Sequence, residues 1–541
     1  MKNKTISSID GIHELLVTYE LNPKKRYGQN FLISDKIPNI IMSQSELKDC
    51  DVIIEIGPGL GSLTEHLLKL HKPLYCVEID NQLCGILKKT FSGNDNLHIV
   101  NKDFLKTDIE SLKIRENSKV CVVSNLPYYI TKEILVKLLL EERNFTIIAM
   151  MQKEVAYKIL QKNEINELVY ASTNFCDVSK VTDVSKNEFF PKPNVDSCVL
   201  KFSKKNIVDK QIYLNLFNII TSQKRKTIYN NIKEAIPDGL NLYEPFVNIL
   251  ESKSGVSLLK RADELSLEKL HNFIEKFKNL TVFQSNAKIN IGLSVGKIQN
   301  NMHKVSSLFC PISLFDEMLI LPINDKKLLI DCNANINNNV IKKVFNYYLS
   351  KDILNCGFYV KLFKRIPVGS GLGGGSSNSA VFLKYIENYT TGYFEKEKML
   401  TELGQDCTYF YNYNKISLLD GIYEFNPVES DLMNKYVLII TPNIEILTTD
   451  MYKSVKIGDF YVKNTQYNEI KGKQFNSFEE LMKDVAEWNN IMKIIENANP
   501  YSYGMSGSGP TIYVIDDLIN LMNLKEKMPC NLRLCKLCKI I

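Results

Sequence analysis

The chain has 541 residues with a net charge of +6, 45% hydrophobic and 24% charged, the composition of a soluble globular protein with three or four compact units rather than a disordered or fibrous one. No apolar run reaches the ~18 to 20 residues of a membrane span, and the opening MKNKTISSIDGIHELL lacks the apolar core of a signal peptide, so a cytoplasmic location and no membrane partner are expected. Residues 1–280 carry 39 basic and 35 acidic side chains and the remainder 28 and 26, so overall charge does not single out a nucleic-acid partner. That leaves three short basic runs, NPKKRYGQN (22–30), KFSKK (201–205) and SQKRKTIYNN (222–231), as candidate phosphate contacts. Thirteen cysteines are scattered. The Cys535–Cys538 pair has no second pair or histidine near it and reads as reduced, structural thiols.

From 51 to 150 the chain alternates β-branched runs with helical patterns. DVIIEIG, PLYCVEID, LHIVNKD, KVCVVSNLP and FTIIAMM read as buried strands, with helices over SLTEHLLKL, NQLCGILKKTF and TKEILVKLLLEE between them. This is the pattern of a doubly wound α/β sheet. Residues 205 to 279 are mostly helical, with QIYLNLFNIITSQKRKTIYNNIKEAI and SLEKLHNFIEKFKN at 3.6-residue periodicity. An alternating, strand-like run, LTVFQSNAKINIGLSV, then opens an α+β region that continues to the end. The junction near 275–284 holds neither Gly nor Pro and is expected to be short and stiff. The expected division is 1–204 for the α/β domain, 205–279 for a helical lobe, and 280–430 and 431–541 for the two lobes of the second half.

In the first half, Gly57, Gly59 and Gly61 follow the strand IIEIG and precede a helix, as a nucleotide turn does. Serine stands at 62 where a dinucleotide fingerprint wants glycine. Glu78 ends the next strand, Asp103 the third, and Asn125-Leu126-Pro127-Tyr128 the fourth, at the carboxyl edge where open α/β sheets bind ligands. The tetrad suits methylation of an exocyclic amine. An Asn oxygen and a main-chain carbonyl can accept both amino hydrogens while Tyr128 stacks on the base, which is catalysis by positioning rather than by a strong base.

KKRYGQNFL, EIGPGLGSLT, VEID, NLPYYI, QKEVA, FFPKPNVDS and QKRKT together resemble, in order and spacing, the ribosomal RNA adenine dimethyltransferases, specifically the small-subunit enzyme. The resemblance covers residues 20 to about 275. It implies S-adenosylmethionine held by Asn30, Leu32, Gly57, Glu78, Asp103 and Asn125, and a flipped adenine between Tyr128 and Phe189. The partner would be small-subunit rRNA or a pre-small ribosomal subunit, contacted in part by Lys224-Arg225-Lys226. Modification of large-subunit RNA, or a binding module that has lost catalysis, are the alternatives. Where the family usually has Tyr-Gly-x-Leu-Ser, this chain has INELV.

The second half opens a different phosphate cradle, GSGLGGGSSNSA (369–380), with five glycines and four serines but no Walker lysine. Backbone amides with Ser376 and Ser377 at a helix N-terminus would then meet the phosphates. Phosphoryl transfer also needs a metal ion, a cation near the nucleophile and a carboxylate, for which Lys288 and Asp406 are the candidates. SNAKINIGLSV, IPVGSGLGGGSSNSA, LGQDCTYF and MSGSGPTIYV resemble the superfamily of galactokinase, homoserine kinase and mevalonate kinase, and within it 4-diphosphocytidyl-2-C-methylerythritol kinase. The resemblance spans 281–541. It implies ATP with Mg2+ on Pro367 to Ser377 (Gly371, Gly373, Gly374 and Gly375 among them), catalysis by Lys288 and Asp406, and closure of Ser506, Gly507, Ser508 and Gly509 over the substrate phosphates. His303 would recognise the cytosine, with Met302 standing where the family has an aromatic. Another small alcohol is the alternative substrate. The whole reads as a bifunctional enzyme, multidomain, with a doubly wound sheet and helical lobe followed by a two-lobed α+β kinase.

Overall fold

The computed structural model describes residues 6–21, 30–107, 109–112, 114–115, 118–299, 302–336, 339–391, 395–444, 448–455 and 470–541. The basic run 22–30 therefore lies outside the described residues except for Asn30. Two compact units are present, Met1–Ala235 with Ser254–Lys278, and Ile236–Lys253 with Asn279–Ile541. Residues 236–253, which the sequence reading puts in the helical lobe, group with the second unit. There Leu242 bridges Ile323, and the amide of Tyr243 donates to the carbonyl of Pro322 at 3.0 Å.

In the first unit β1 is Phe31–Leu32, β2 Val52–Ile56, β3 Leu74–Glu78, β4 Leu97–Asn101, β5 Val120–Asn125, β6 Phe145–Gln152, β7 Cys176–Val184, β8 Phe189–Phe190 and β9 Ser197–Lys204. Seven of these form one sheet in the order β4-β3-β2-β5-β6-β9-β7. The first five are parallel, while β9 runs antiparallel to β6 and β7 antiparallel to β9. All five residues of β2 are buried, which a parallel strand covered on both faces requires and which its run VIIEI supplies. The order reverses between β2 and β5, and this switch point positions the site. The five expected strands are present, but β4, expected to be buried, has no buried residue because it ends the sheet and is paired on one side only. The helix expected over 62–70 is shorter: Thr64–Leu67 is α-helical, 68–70 is a 3₁₀ turn, and His71 at φ +53° ends it two residues before Pro73.

The periodic stretch 211–236 is two helices, Lys210–Thr221 and Ile228–Glu234. The break has a physical cause. Thr227 caps the second helix through the amide of Asn230, and the buried Asn231 side chain donates to the carbonyls of Ile220 and Gln223. The Lys224-Arg225-Lys226 run thus sits exposed in the connection, with Lys226 paired to Glu234. The helix Leu267–Thr281 then passes straight into the next strand, with no linker.

The second unit has β10 Val282–Gln299, β11 Met302–Ile323, β12 Leu328–Cys332, β13 Gly357–Phe363, β14 Ser417–Gly421, β15 Phe425–Pro427, β16 Tyr436–Thr441, β17 Gly472–Lys473, β18 Ser502–Met505, β19 Ile512–Ile515 and β20 Leu534–Lys539. One sheet has the order β12-β13-β11-β14-β15 with β10 also paired to β11, and a second has the order β17-β18-β19-β16-β20. The long β10–β11 hairpin changes register between Asn286 and Ala287 and again between Ile291 and Leu293. Cys535 and Cys538 lie three apart on β20, so alternation puts their thiols on opposite faces, and they share no site.

Candidate active sites

In the first unit an open cleft lies at the carboxyl ends of β2, β3 and β5, lined by Asn30, Leu32, Gly57, Glu78, Asp103, Asn125 and Tyr128 among others. Gly57, Gly59 and Gly61 have φ of +65°, +60° and +94°. A side chain at Gly61 would also strike Phe91 at 2.6 Å, so this turn needs glycine for space as well as for conformation. Glu78 faces the turn, its Oε2 accepting from the amide of Gly59 at 3.2 Å and its Oε1 from that of Asp80 at 2.8 Å. Burial raises its pKa even against these amides. Each oxygen retains acceptor capacity for a hydroxyl. Deeper in the cleft, burial pushes Glu55 up to about 7, with Thr64 Oγ1 donating to it at 2.7 Å and the Cys76 thiol at 3.4 Å. The buried Ser62 hydroxyl has no partner among the described residues and lines the same cleft, a polar atom that a ligand would satisfy.

Asn125 ends β5, and its Nδ2 donates to the carbonyl of Asn30 at 3.2 Å. This commits the amide nitrogen to the protein and leaves Oδ1 as the acceptor. The carbonyl of Pro127 is already used by the amide of Ile130 and the Thr131 hydroxyl, at 3.2 and 3.0 Å. The main-chain acceptor beside Asn125 is therefore that of Leu126. The Tyr128 hydroxyl is anchored at 2.7 Å from Ser197 Oγ, a partner in β9 that sequence reasoning missed. Phe189 is not brought to the cleft lining. It is 2% exposed and packs in the core with Leu32, Ile37 and Val199, because β8 pairs with β1 in a two-stranded sheet that turns it inward.

In the second unit the helix Gly374–Ile386 begins in the glycine run, with Gly373 at φ +71° preceding it. A side chain at Gly371 would meet the carbonyl oxygen of Ser506 at 2.3 Å, and one at Gly373 would meet Phe410 at 2.9 Å and Lys288 Cε at 3.1 Å. The glycines thus let Ser506–Gly509 and Lys288 close directly onto the loop. Ser506 Oγ accepts from the amide of Asn290 at 3.2 Å and donates to the carbonyl of Gly371 at 3.3 Å, while Asn476 Nδ2 holds the carbonyls of Met505 and Gly507. Ser377 is buried in the first turns of the helix, and Ser376 lies half-buried beside it.

Lys288 is 2% exposed on β10. Its amine donates to Asn290 and to the carbonyl of Gly371 at 3.2 Å, and stands 3.5 Å from Asp406 Oδ2. Burial lowers its pKa and the Asp406 carboxylate opposes the shift. Asp406, in the first turn of helix Gln405–Asn412, remains about one-third exposed. Lys288 and Asp406, separate candidates in the sequence, are brought together here, and Asn290, two residues along the same strand face, joins them without being singled out by the sequence pattern. His303 Nδ1 contacts the carbonyl of Gly296 at 3.2 Å and its ring lies 5.5 Å from that of Tyr452. Met302 Sδ accepts from the Tyr423 hydroxyl at 3.0 Å. Gln405 Nε2 donates to the His303 carbonyl at 3.2 Å, tying this hairpin to the helix of Asp406.

Comparison with known proteins matches residues 20–278 to the ribosomal RNA adenine dimethylase family and residues 339–413 to the GHMP kinase N-terminal domain. The ribosomal RNA small subunit methyltransferase A of Staphylococcus haemolyticus is 36% identical over 293 residues, which are 52% of this chain and 98% of that protein. That of Bacillus pumilus is 36% identical over 290 residues, 51% of this chain and 99% of the relative. Among solved structures, a dimethyladenosine transferase from Plasmodium falciparum is 25% identical, covering 46% of this chain and 98% of its own, with a TM-score of 0.37. A 4-(cytidine 5'-diphospho)-2C-methyl-D-erythritol kinase is 21% identical, covering 48% of this chain and 99% of its own, with a TM-score of 0.40.

Proposed function

Because the chain belongs through residues 20–278 to the ribosomal RNA adenine dimethylase family and carries a GHMP kinase domain in its second half, we propose that it is a bifunctional enzyme. One half places two methyl groups on N6 of each of two adjacent adenosines near the 3' end of small-subunit rRNA. The other phosphorylates a hydroxyl of 4-diphosphocytidyl-2-C-methylerythritol. The observation that carries this reading is the contrast around two glycine turns, the acceptor carboxylates Glu78 and Asp103 around one and the Lys288 amine behind the other.

S-adenosylmethionine, when bound, supplies the methyl group, and ATP with Mg2+ supplies the phosphoryl group. In the cleft, Glu78 accepts the ribose hydroxyls, Asp103 caps the far side, and the glycine turn lets the donor approach the backbone. Asn125 Oδ1 and the Leu126 carbonyl accept the amino hydrogens of the target adenine, holding its nitrogen in line, and Tyr128, fixed through Ser197, stacks on the base. The exposed Lys224 and Arg225 contact phosphates of the RNA.

In the kinase, the helix N-terminus at Gly373–Ser377 holds the phosphates, Lys288 balances charge at the attacking oxygen, and Asp406 takes or orients its proton. Tyr423 and Tyr452 supply aromatic surface beside Met302 and His303, where the sequence lacks an aromatic. The test gives the purified chain labelled methyl donor with unmethylated small subunits, and separately ATP with the cytidine compound. Methyl incorporation at two adjacent adenosines and phosphorylation of the cytidine compound are expected. Methylation mapped to large-subunit RNA, or turnover of mevalonate or homoserine alone, would overturn the respective half.

A further inference from the structure

Behind the glycine loop lies a polar cluster that the reaction described above does not use. Asp316, on β11, is 0% exposed. Its Oδ1 accepts from the backbone amides of Arg365 at 2.8 Å and Ile366 at 2.9 Å. Its Oδ2 accepts from Asn378 Nδ2 at 3.0 Å and from the amine of Lys364. The ring closes on itself, since Lys364 Nζ also donates to Asn378 Oδ1 at 3.2 Å and Asn378 Nδ2 to Ser285 Oγ at 2.6 Å. Two of the four donors to this carboxylate immediately precede Pro367, and a third, Asn378, immediately follows Ser377. One buried side chain therefore grips both ends of the Pro367–Ser377 stretch.

A buried carboxylate and lysine replaced together by apolar groups often cost a fold little, whereas losing one partner leaves the other uncompensated. Stability alone thus gives weak reason for an ion pair here, while fixed geometry gives a strong one. Side-chain space adds to it: a Cβ on Gly374 would come within 3.0 Å of Lys364 Nζ and 2.9 Å of Ile366, so the clamp packs directly under the first helical residue of the cradle. We propose that Asp316 is a positioning residue that sets the span and aim of the nucleotide loop by tying both of its ends to one point. This rests on the reading that Pro367–Ser377 holds ATP.

The test uses the full chain, wild type against Asp316→Asn, a change of equal shape that turns one acceptor into a donor facing other donors. Two readouts are taken, ATP affinity by titration with Mg2+ present and amide hydrogen exchange without nucleotide. The expected result is an ATP Kd raised at least tenfold, with faster exchange confined to residues 364–378 and methyl-donor binding unchanged. An ATP Kd within twofold of wild type, or exchange accelerated evenly across the second unit, would overturn the proposal. Should Asp316→Asn fail to fold, Lys364→Met, which leaves the carboxylate its three neutral donors, must show the same localised exchange, and its absence overturns the proposal. Failure of the wild-type chain to bind ATP would instead strike the kinase reading, while the exchange pattern would still decide whether Asp316 orders the loop.

Discussion

The two glycine turns are alike in sequence and opposite in what surrounds them. The first, Gly57 to Gly61, leads into only four α-helical residues and faces Glu78, with Glu55 beneath it. The second, Gly369 to Gly375, opens a helix of thirteen residues and has the Lys288 amine against the carbonyl of Gly371. A long helix presents a stronger positive end than a single turn does. Glycine spacing therefore marks where backbone approaches a ligand, and the neighbouring charges decide the ligand's sign. Carboxylates that accept hydroxyls suit a sulfonium-bearing nucleoside, and a helix end with a lysine suits a triphosphate.

The sharpest way to break this comparison is to remove the cation. Lys288→Met is expected to lower phosphoryl transfer by about 10²- to 10³-fold, the scale of losing one preorganised charge-stabilising group, with methyl transfer untouched; parallel kinetics on the full chain check both. Next come the glycines themselves. Gly57→Ala meets no atom within 4 Å and costs only the left-handed backbone penalty of roughly 1–2 kcal/mol. Gly371→Ala adds a backbone collision, with a carbonyl oxygen at 2.3 Å. Equilibrium binding should show a larger loss of ATP affinity in the second variant than of methyl-donor affinity in the first, and equal losses would mean the loops are built alike.

A third, pH-dependent effect belongs to the first turn. Glu55 is raised from 4.5 to about 7 by burial, so the folded unit keeps a proton that the unfolded chain releases. Stability from this group is therefore present below pH 4.5 and is lost as pH rises toward and through 7, by about 3 kcal/mol in all. In Glu55→Gln the unfolding free energy of the first unit should lose that pH dependence, as denaturant melts at pH 5 and pH 8 would read. The smallest effect is at the substrate end. Met302→Tyr is expected to lower the KM for the cytidine compound severalfold, below the ~1–3 kcal/mol of a full base stack, because Tyr423 and Tyr452 already line that region.

How much of this could be read in advance depended on how local the cause was. The five parallel strands followed from short β-branched runs alternating with helical patterns, and Gly57, Glu78, Asp103 and Asn125 from their places at strand ends. Lys288 and Asp406, 118 residues apart, are candidates from the needs of phosphoryl transfer, and the resemblance of their motifs is what implies their catalytic role. Burial of Phe189 was not legible, because it is set by pairing with Leu32, 157 residues away in sequence. Nor was the Asp316 clamp, whose donors come from β13's exit and a separate helix. The break at 222–227 was hidden by continuous periodicity, since Thr227 and Asn231 act through hydrogen bonds that a hydrophobic pattern does not record.

Whether one chain holds two chemically separate sites is decided by assaying both transfers on the same preparations of the wild type, Asn125→Ala and Asp406→Asn. A crossed result is expected: Asn125→Ala loses methyl transfer to small subunits and keeps wild-type phosphoryl transfer, and Asp406→Asn does the reverse. Either variant losing both activities, or Asn125→Ala still dimethylating both adenosines, would contradict it.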